Sequence, residues 1–290
     1  MDTVISILIT LLASVVFAIV ATVLGCLLAG LDRKVTARMQ GRVGPPLLQP
    51  YYDVRKLFSK ENTAVNTAIG TYVFWALIFT FIAGGVFFCG GNLLLCIFIV
   101  TLAEMLFIMA AYAARSPYAE VGAHRETLQV MAYEPMLLAV GFFLATGSFN
   151  VSTVLHLDYP IIGSAIGVFL GLLFILTIKL RKSPFDLSYS HHAHQDLVKG
   201  VTTEMSGKVL GQVEIMHWCE NILFLAWVAM FFIWDNPLCI PVVIVALILI
   251  YLLEIWIDNN FARVKWQLLL KSAWVVTLIF AGINIGLLIY

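Results

Sequence analysis

LLLCIFIVTLAEMLFIMAAYAA, residues 93–114, carries a single charge, Glu104, in 22 positions. About 20 apolar residues are what a helix needs to cross a hydrocarbon layer about 30 Å thick, and here the lone carboxylate sits near the middle of the run. Working outward, runs of the same kind lie at 4–31, 67–88, 130–149, 161–180, 218–234, 238–257 and 268–290, eight in all. Composition agrees. Of 290 residues, 61% are hydrophobic and 12% charged, against about 25% charged in a soluble domain, and mean hydropathy is +0.97. Backbone groups in lipid must be satisfied within the spanning segment, and unbroken runs rather than short alternating strands select helices over a barrel. The chain therefore reads as one all-α membrane domain, 1–290, a polytopic protein of about eight transmembrane helices. Its first run has no basic residue before it and is too long for a signal-peptide core, so it is expected to stay as a helix.

The 17 Lys and Arg residues fall in alternate connectors. Seven follow the first run (Arg33, Lys34, Arg38, Arg42, Arg55, Lys56, Lys60), two the third (Arg115, Arg125), five the fifth (Lys179, Arg181, Lys182, Lys199, Lys208) and three the seventh (Arg263, Lys265, Lys271). The opposite connectors have none. Short cytoplasmic loops are enriched in Lys and Arg, so these four connectors are expected in the cytoplasm and both termini outside, in the cell membrane. Two of them, 32–66 and 182–217, are too long for turns. Pro45 and Pro46 break the first, while Tyr52 to Phe58 mixes aromatic and basic residues as a short interfacial helix does. Such loops either touch lipid headgroups in the ordinary positive-inside way or form a docking surface for a peripheral subunit, with Arg38, Arg42, Arg55, Lys56 and Arg125 as candidate contacts. Net charge is zero, with 17 acids against 17 bases, and no nucleic-acid partner is expected.

A charge at mid-bilayer costs about 2.5–3.5 kcal/mol on insertion scales, so such residues face protein or water and are functional candidates. Glu104, Glu134, Glu220 and Glu254 qualify, none with a cation within one turn of its own helix. Such carboxyl groups suit proton exchange near neutrality. Pro135 removes a backbone donor beside Glu134 and frees carbonyls there. Glu254 stands one turn from Asp258 and either joins a path or simply reaches the interface. His191, His192 and His194, near Asp186 and Asp196, offer three readings: metal binding, proton handling or subunit contact, or a merely polar loop. No metal site is expected, and the five cysteines, without a CxxC pair, read as small buried hydrophobes.

Several segments together resemble the subunit 1 family of respiratory complex I and its relatives in membrane-bound NiFe hydrogenases. They are Ala37-Arg38-Met39-Gln40-Gly41-Arg42-Val43-Gly44-Pro45 with Leu48-Gln49-Pro50 and Asp53-Val54-Arg55-Lys56-Leu57; Arg125, Gln129 and Tyr133-Glu134; and Ser183-Pro184-Phe185-Asp186-Leu187 with Asp196-Leu197-Val198, Thr203-Glu204 and Ser206-Gly207. The resemblance covers most of the chain and implies an ion-translocation module beneath a peripheral redox arm. It implies that Asp53, Glu134, Glu204 and Glu220 belong to an acidic path into the membrane, with Asp186 and Asp196 at its entrance; Glu104 joins them by depth. The quinone-reducing branch carries a glutamate-rich stretch after Phe-Asp-Leu. Here residues 188–195 are histidine-rich instead, which looks like the energy-converting (Ech-type) hydrogenase branch. That branch implies no cofactor in this chain, with the NiFe centre and 4Fe-4S clusters in partners: hydrogenase large and small subunits, a cluster-bearing ferredoxin-like subunit and an antiporter-like membrane subunit. The alternatives are subunit 1 of a quinone-reducing NADH dehydrogenase and a stand-alone secondary transporter. Carboxylates serve H⁺ and Na⁺ alike, so the coupling ion stays open.

Overall fold

The computed structural model describes residues 2–61, 66–144, 149–182, 185, 200–262 and 264–289. Ten α-helices account for most of them: α1 Asp2–Met39, α2 Gln49–Phe58, α3 Thr67–Phe88, α4 Leu93–Ala113, α5 Pro117–Leu144, α6 Val151–Leu155, α7 Ile166–Lys179, α8 Gly207–Ala229, α9 Cys239–Asn260 and α10 Trp266–Ile289. Eight of these coincide with the eight apolar runs. Six of the eight, α1, α3, α4, α8, α9 and α10, are long and apolar enough to cross a membrane. The other two are α5, whose first turns are polar, and α7, which has 14 residues.

The helices start where capping chemistry allows. Asn66 accepts a hydrogen bond from the backbone N–H of Ala68 at the start of α3, and Asn92 one from Leu95 at the start of α4, satisfying donors that a first turn leaves orphaned. Gly90, at φ +76°, makes the turn between them. Small residues then let the helices close up: a Cβ on Gly85 would stand 2.0 Å from Ser14 Oγ on α1, the close approach that membrane helices use in place of a hydrophobic driving force. In the centre is α8, packed against α1, α2, α3, α7 and α9. Trp227 on α8 and Phe107 on α4 are fully buried there. By contrast α1, α9 and α10 turn most of their Val, Ile and Leu outward, as lipid-facing helices do.

Two connectors are shorter than expected. Helix α5 begins at Pro117 rather than near 130, and α8 at Gly207 rather than 218, so residues 207–217 of the long 182–217 connector are helical. Polar residues such as Glu126, Glu214 and His217 lower local hydropathy without interrupting the helix. A short helix forms where one was expected, α2, packed against α8 and α1, and Arg38, Arg42, Arg55 and Lys56 remain exposed around it. Three cations, Lys179, Arg181 and Lys182, depart from the connector pattern and have buried side chains. Lys179 ends α7 and is 7% exposed, drawn into the bundle rather than left in a loop.

Candidate functional site: buried charges at the end of a short helix

Helix α7 ends in a turn whose backbone is unusual for its residue. Lys182 N–H donates to Thr177 O at 2.9 Å and Arg181 N–H to Ile178 O at 3.1 Å, with Arg181 in the left-handed region at φ +56°. Glycine normally takes that position; for another residue the conformation costs about 1–2 kcal/mol. The turn sends Lys179, Arg181 and Lys182 to different carboxylates.

Lys179 Nζ donates to Glu104 Oε1 at 2.6 Å, with both side chains almost wholly buried. Its ammonium also lies 4.0 Å from the Tyr133 ring centroid and 4.8 Å from that of Phe224, so aromatic faces replace part of its lost hydration. Glu220 of α8 adjoins Glu104. Glu220 Oε1, the Tyr133 hydroxyl and Gln129 Nε2 are buried without a hydrogen-bond partner among the described residues. Arg181 Nη2 donates to Glu126 Oε1 at 3.1 Å and to His217 Nε2 at 3.0 Å. A guanidinium has no acceptor, so that histidine nitrogen carries no proton in this contact. Phe107 meets the imidazole edge-on, with centroids 5.6 Å apart. Three carboxyl groups, Glu104, Glu126 and Glu220, thus face two cations in a desolvated pocket.

Arg181 and His217 also line a cavity of about 460 Å³. On its wall Lys182 Nζ pairs with Asp32 Oδ2 at 2.5 Å and lies 3.6 Å from Asp258 Oδ2. Exposed Arg33 and Arg42 stand on the lining too. Arg181 and His217 therefore stand between the buried carboxyl trio and the cavity.

The sequence candidates separate into distinct places. Glu104 and Glu220 meet in the trio. Glu254 is fully buried, but beside Lys182 and Asp258, so it does not reach the surface. Glu134 is half-buried on α5 and accepts from Thr101 Oγ1 at 3.2 Å. Asp53 is in an exposed ion pair with Arg33 at 2.5 Å on α2, and Glu204 is half-buried in the turn before α8. Arg125 is partly buried. Asp186, Asp196, His191, His192 and His194 lie outside the described residues. Among the described residues no group of His, Cys, Asp and Glu could hold a metal ion. Sequence reasoning missed Glu126, Lys179, Arg181, His217 and the Asp32–Lys182–Asp258 set. A signal existed for part of it: Glu126, Gln129 and Tyr133 recur at i, i+3 and i+7, one face of a helix.

A helical membrane protein with ionisable groups desolvated in its bundle and a polar cavity beside them is the class these features define. Compared with known proteins, the chain matches the NADH dehydrogenase family over residues 11–289 and belongs to it, as a subunit 1 type membrane chain. It is 27% identical to hydrogenase-4 component C of Escherichia coli over 89% of each chain. It is 27% identical to formate hydrogenlyase subunit 4 of Escherichia coli, over 89% of this chain and 92% of that one, and 28% identical to NADH-ubiquinone oxidoreductase chain 1 of Mycosarcoma maydis over 84% of each. The fold is also that of a chain in the membrane-bound sulfane sulfur reductase, an archaeal respiratory membrane complex. That chain aligns at TM-score 0.81 and 24% identity, covering 95% of this chain and 98% of its own. The protein is accordingly a multi-span membrane subunit of the respiratory-complex type.

Proposed function

We propose that this chain is the membrane-anchor and ion-translocating subunit of a ferredoxin-dependent, energy-converting NiFe hydrogenase, with the NiFe centre and 4Fe-4S clusters in its partner subunits. The observation that carries the ion-coupling part is the Glu104–Lys179 pair with Glu220 beside it. Among the described residues three carboxyl groups face two cations there, an excess of one acid that a proton would balance. Arg181 and His217 connect the trio to the cavity, so a change of charge on the cavity side alters the field at Glu104 and Glu220 in a low-dielectric site where it is weakly screened. The hydrogenase branch is supported by the histidine-rich 188–195 stretch and by the likeness to two hydrogenase-type subunits. The basic connectors, taken as cytoplasmic, would face hydrogenase large and small subunits and a ferredoxin-like subunit, with an antiporter-like subunit alongside in the membrane.

The test is Glu104→Gln in the assembled complex in sealed vesicles. Hydrogen evolution from reduced ferredoxin should persist while H⁺ or Na⁺ uptake is lost; undiminished ion uptake would overturn the role. A second reading, subunit 1 of a quinone-reducing complex, has one observation in its favour: the cavity of about 460 Å³ falls within the range of about 300–1,000 Å³ that small-molecule pockets occupy. Quinone co-purifying with the complex would select it.

A further inference from the structure

Glu254 plays no part in the carboxyl trio, yet it is 0% exposed and neither of its oxygens has a hydrogen-bond partner among the described residues. The charged groups that face it are Lys182, from the end of α7, and Asp258, one turn further along α9. Lys182 is already engaged, at 2.5 Å from Asp32 and 3.6 Å from Asp258. Asp32 Oδ1 is likewise buried and without a partner among the described residues. On Glu254's own helix, Tyr251 turns its hydroxyl away, donating to Leu28 O of α1 at 3.2 Å. Asp32, Lys182, Tyr251 and Asp258 all line the cavity, whereas Glu254 does not; it sits behind that wall.

Asp32, Asp258 and Lys182 meet the cavity, whereas the Glu254 carboxyl group is shut away from it. An isolated buried carboxylate is too expensive to persist without compensation. Among the described residues Glu254's oxygens have no donor to accept from, and no group there could hold a metal ion. A proton is the compensation that fits. It forms an O–H bond on Glu254 and removes the buried charge.

We propose that Glu254 is a second proton-loading site, distinct from the Glu104–Glu126–Glu220 trio and filled from the cavity past Asp32 and Asp258. The two sites are coupled through adjacent residues: Arg181 holds Glu126 of the first, Lys182 holds Asp32 and Asp258 of the second, and the left-handed turn at Arg181 directs the two side chains apart. Any displacement of this turn moves a cation at both sites together. The proposal deepens the ion-translocating function and rests on it for its physiological meaning, but the occupancy of Glu254 is measurable by itself.

Infrared difference spectroscopy of the assembled complex, scanned across pH, reads protonated buried carboxyl groups directly. Glu254→Gln should remove one carboxylic C=O band present near neutrality, whereas Glu104→Gln should leave that band in place. Lys182→Gln, which removes the counter-charge, should extend the band to higher pH. Replacing choline chloride with sodium chloride should not change it. A spectrum of assembled Glu254→Gln complex superimposable on the parent, a Lys182→Gln complex with an unshifted band, or a band abolished by sodium would each overturn the proposal. Loss of the band in Glu254→Gln together with intact ion uptake in Glu104→Gln would keep this site and sink the trio's role, so the two readings fail separately.

Discussion

Lys179 and Lys182 stand three residues apart at one helix end, and their surroundings are opposite. Lys179 is enclosed: its ion-pair partner, Glu104, has 2% side-chain exposure, and the Tyr133 and Phe224 rings lie against its ammonium. Lys182 is shared between two acids on the wall of a cavity, one of which, Asp32, keeps 20% of its side chain exposed. The difference teaches how one short segment serves two electrostatic regimes. Breaking a sealed pair strands a charge, because little solvent can reach it. Breaking an open pair exposes a charge to a cavity that can rehydrate it.

The contrast is broken most severely at the sealed lysine. Lys179→Met should destabilise the assembled protein by about 3–5 kcal/mol, the usual effect of removing one member of a buried ion pair, measured as denaturant unfolding in mild detergent. Adding Glu104→Gln should recover a substantial part of the loss, since no unpaired charge remains. Arg181 comes next. Arg181→Met should remove the guanidinium from Glu126 and His217, but Arg181→Gly should be milder than Arg181→Met by about 1 kcal/mol because glycine relieves the left-handed turn. Equal effects would show that the turn stores no strain. Lys182→Met should lose only about 1–3 kcal/mol, read in the same unfolding assay; a loss matching that of Lys179→Met would erase the distinction between sealed and open. The smallest effect belongs to the surface pair, where Arg33→Ala, releasing Asp53, should change stability by less than about 1 kcal/mol.

Much of the fold was legible in the sequence because lipid imposes a simple rule: every apolar run became a helix. Glu104 and Glu220 were legible for the same reason, as charges that interrupt such runs. Their partners were not. Lys179, Arg181 and Lys182 sit where an apolar run ends, and a cation there looks like any positive-inside connector until tertiary structure folds it inward. Glu126 and His217 were hidden in the polar first halves of α5 and α8, where low hydropathy imitated a loop. Their burial depends on ion pairs between residues distant in sequence, such as the contact of Arg181 with Glu126 and His217, and no local pattern encodes those pairs. Asp53 shows the reverse: a family-like motif position turned out to be an exposed ion pair with Arg33.

Helix α7 also bears on electrical behaviour. Its 14 residues extend about 21 Å at 1.5 Å per residue, short of the roughly 30 Å hydrocarbon layer. The first turn of α7 is held by Asn284 of α10, whose Oδ1 accepts from Gly167 N–H at 2.9 Å. At its other end Lys179 reaches Glu104, one residue past the midpoint of α4, with the polar cavity immediately beyond. Low-dielectric walls around a polar cleft concentrate the field, so most of a transmembrane voltage should drop on the far side of Glu104. A full drop of 100 mV is worth about 2.3 kcal/mol per elementary charge. Charge transfer from the cavity to Glu104 should therefore be nearly indifferent to voltage, and onward transfer strongly dependent on it.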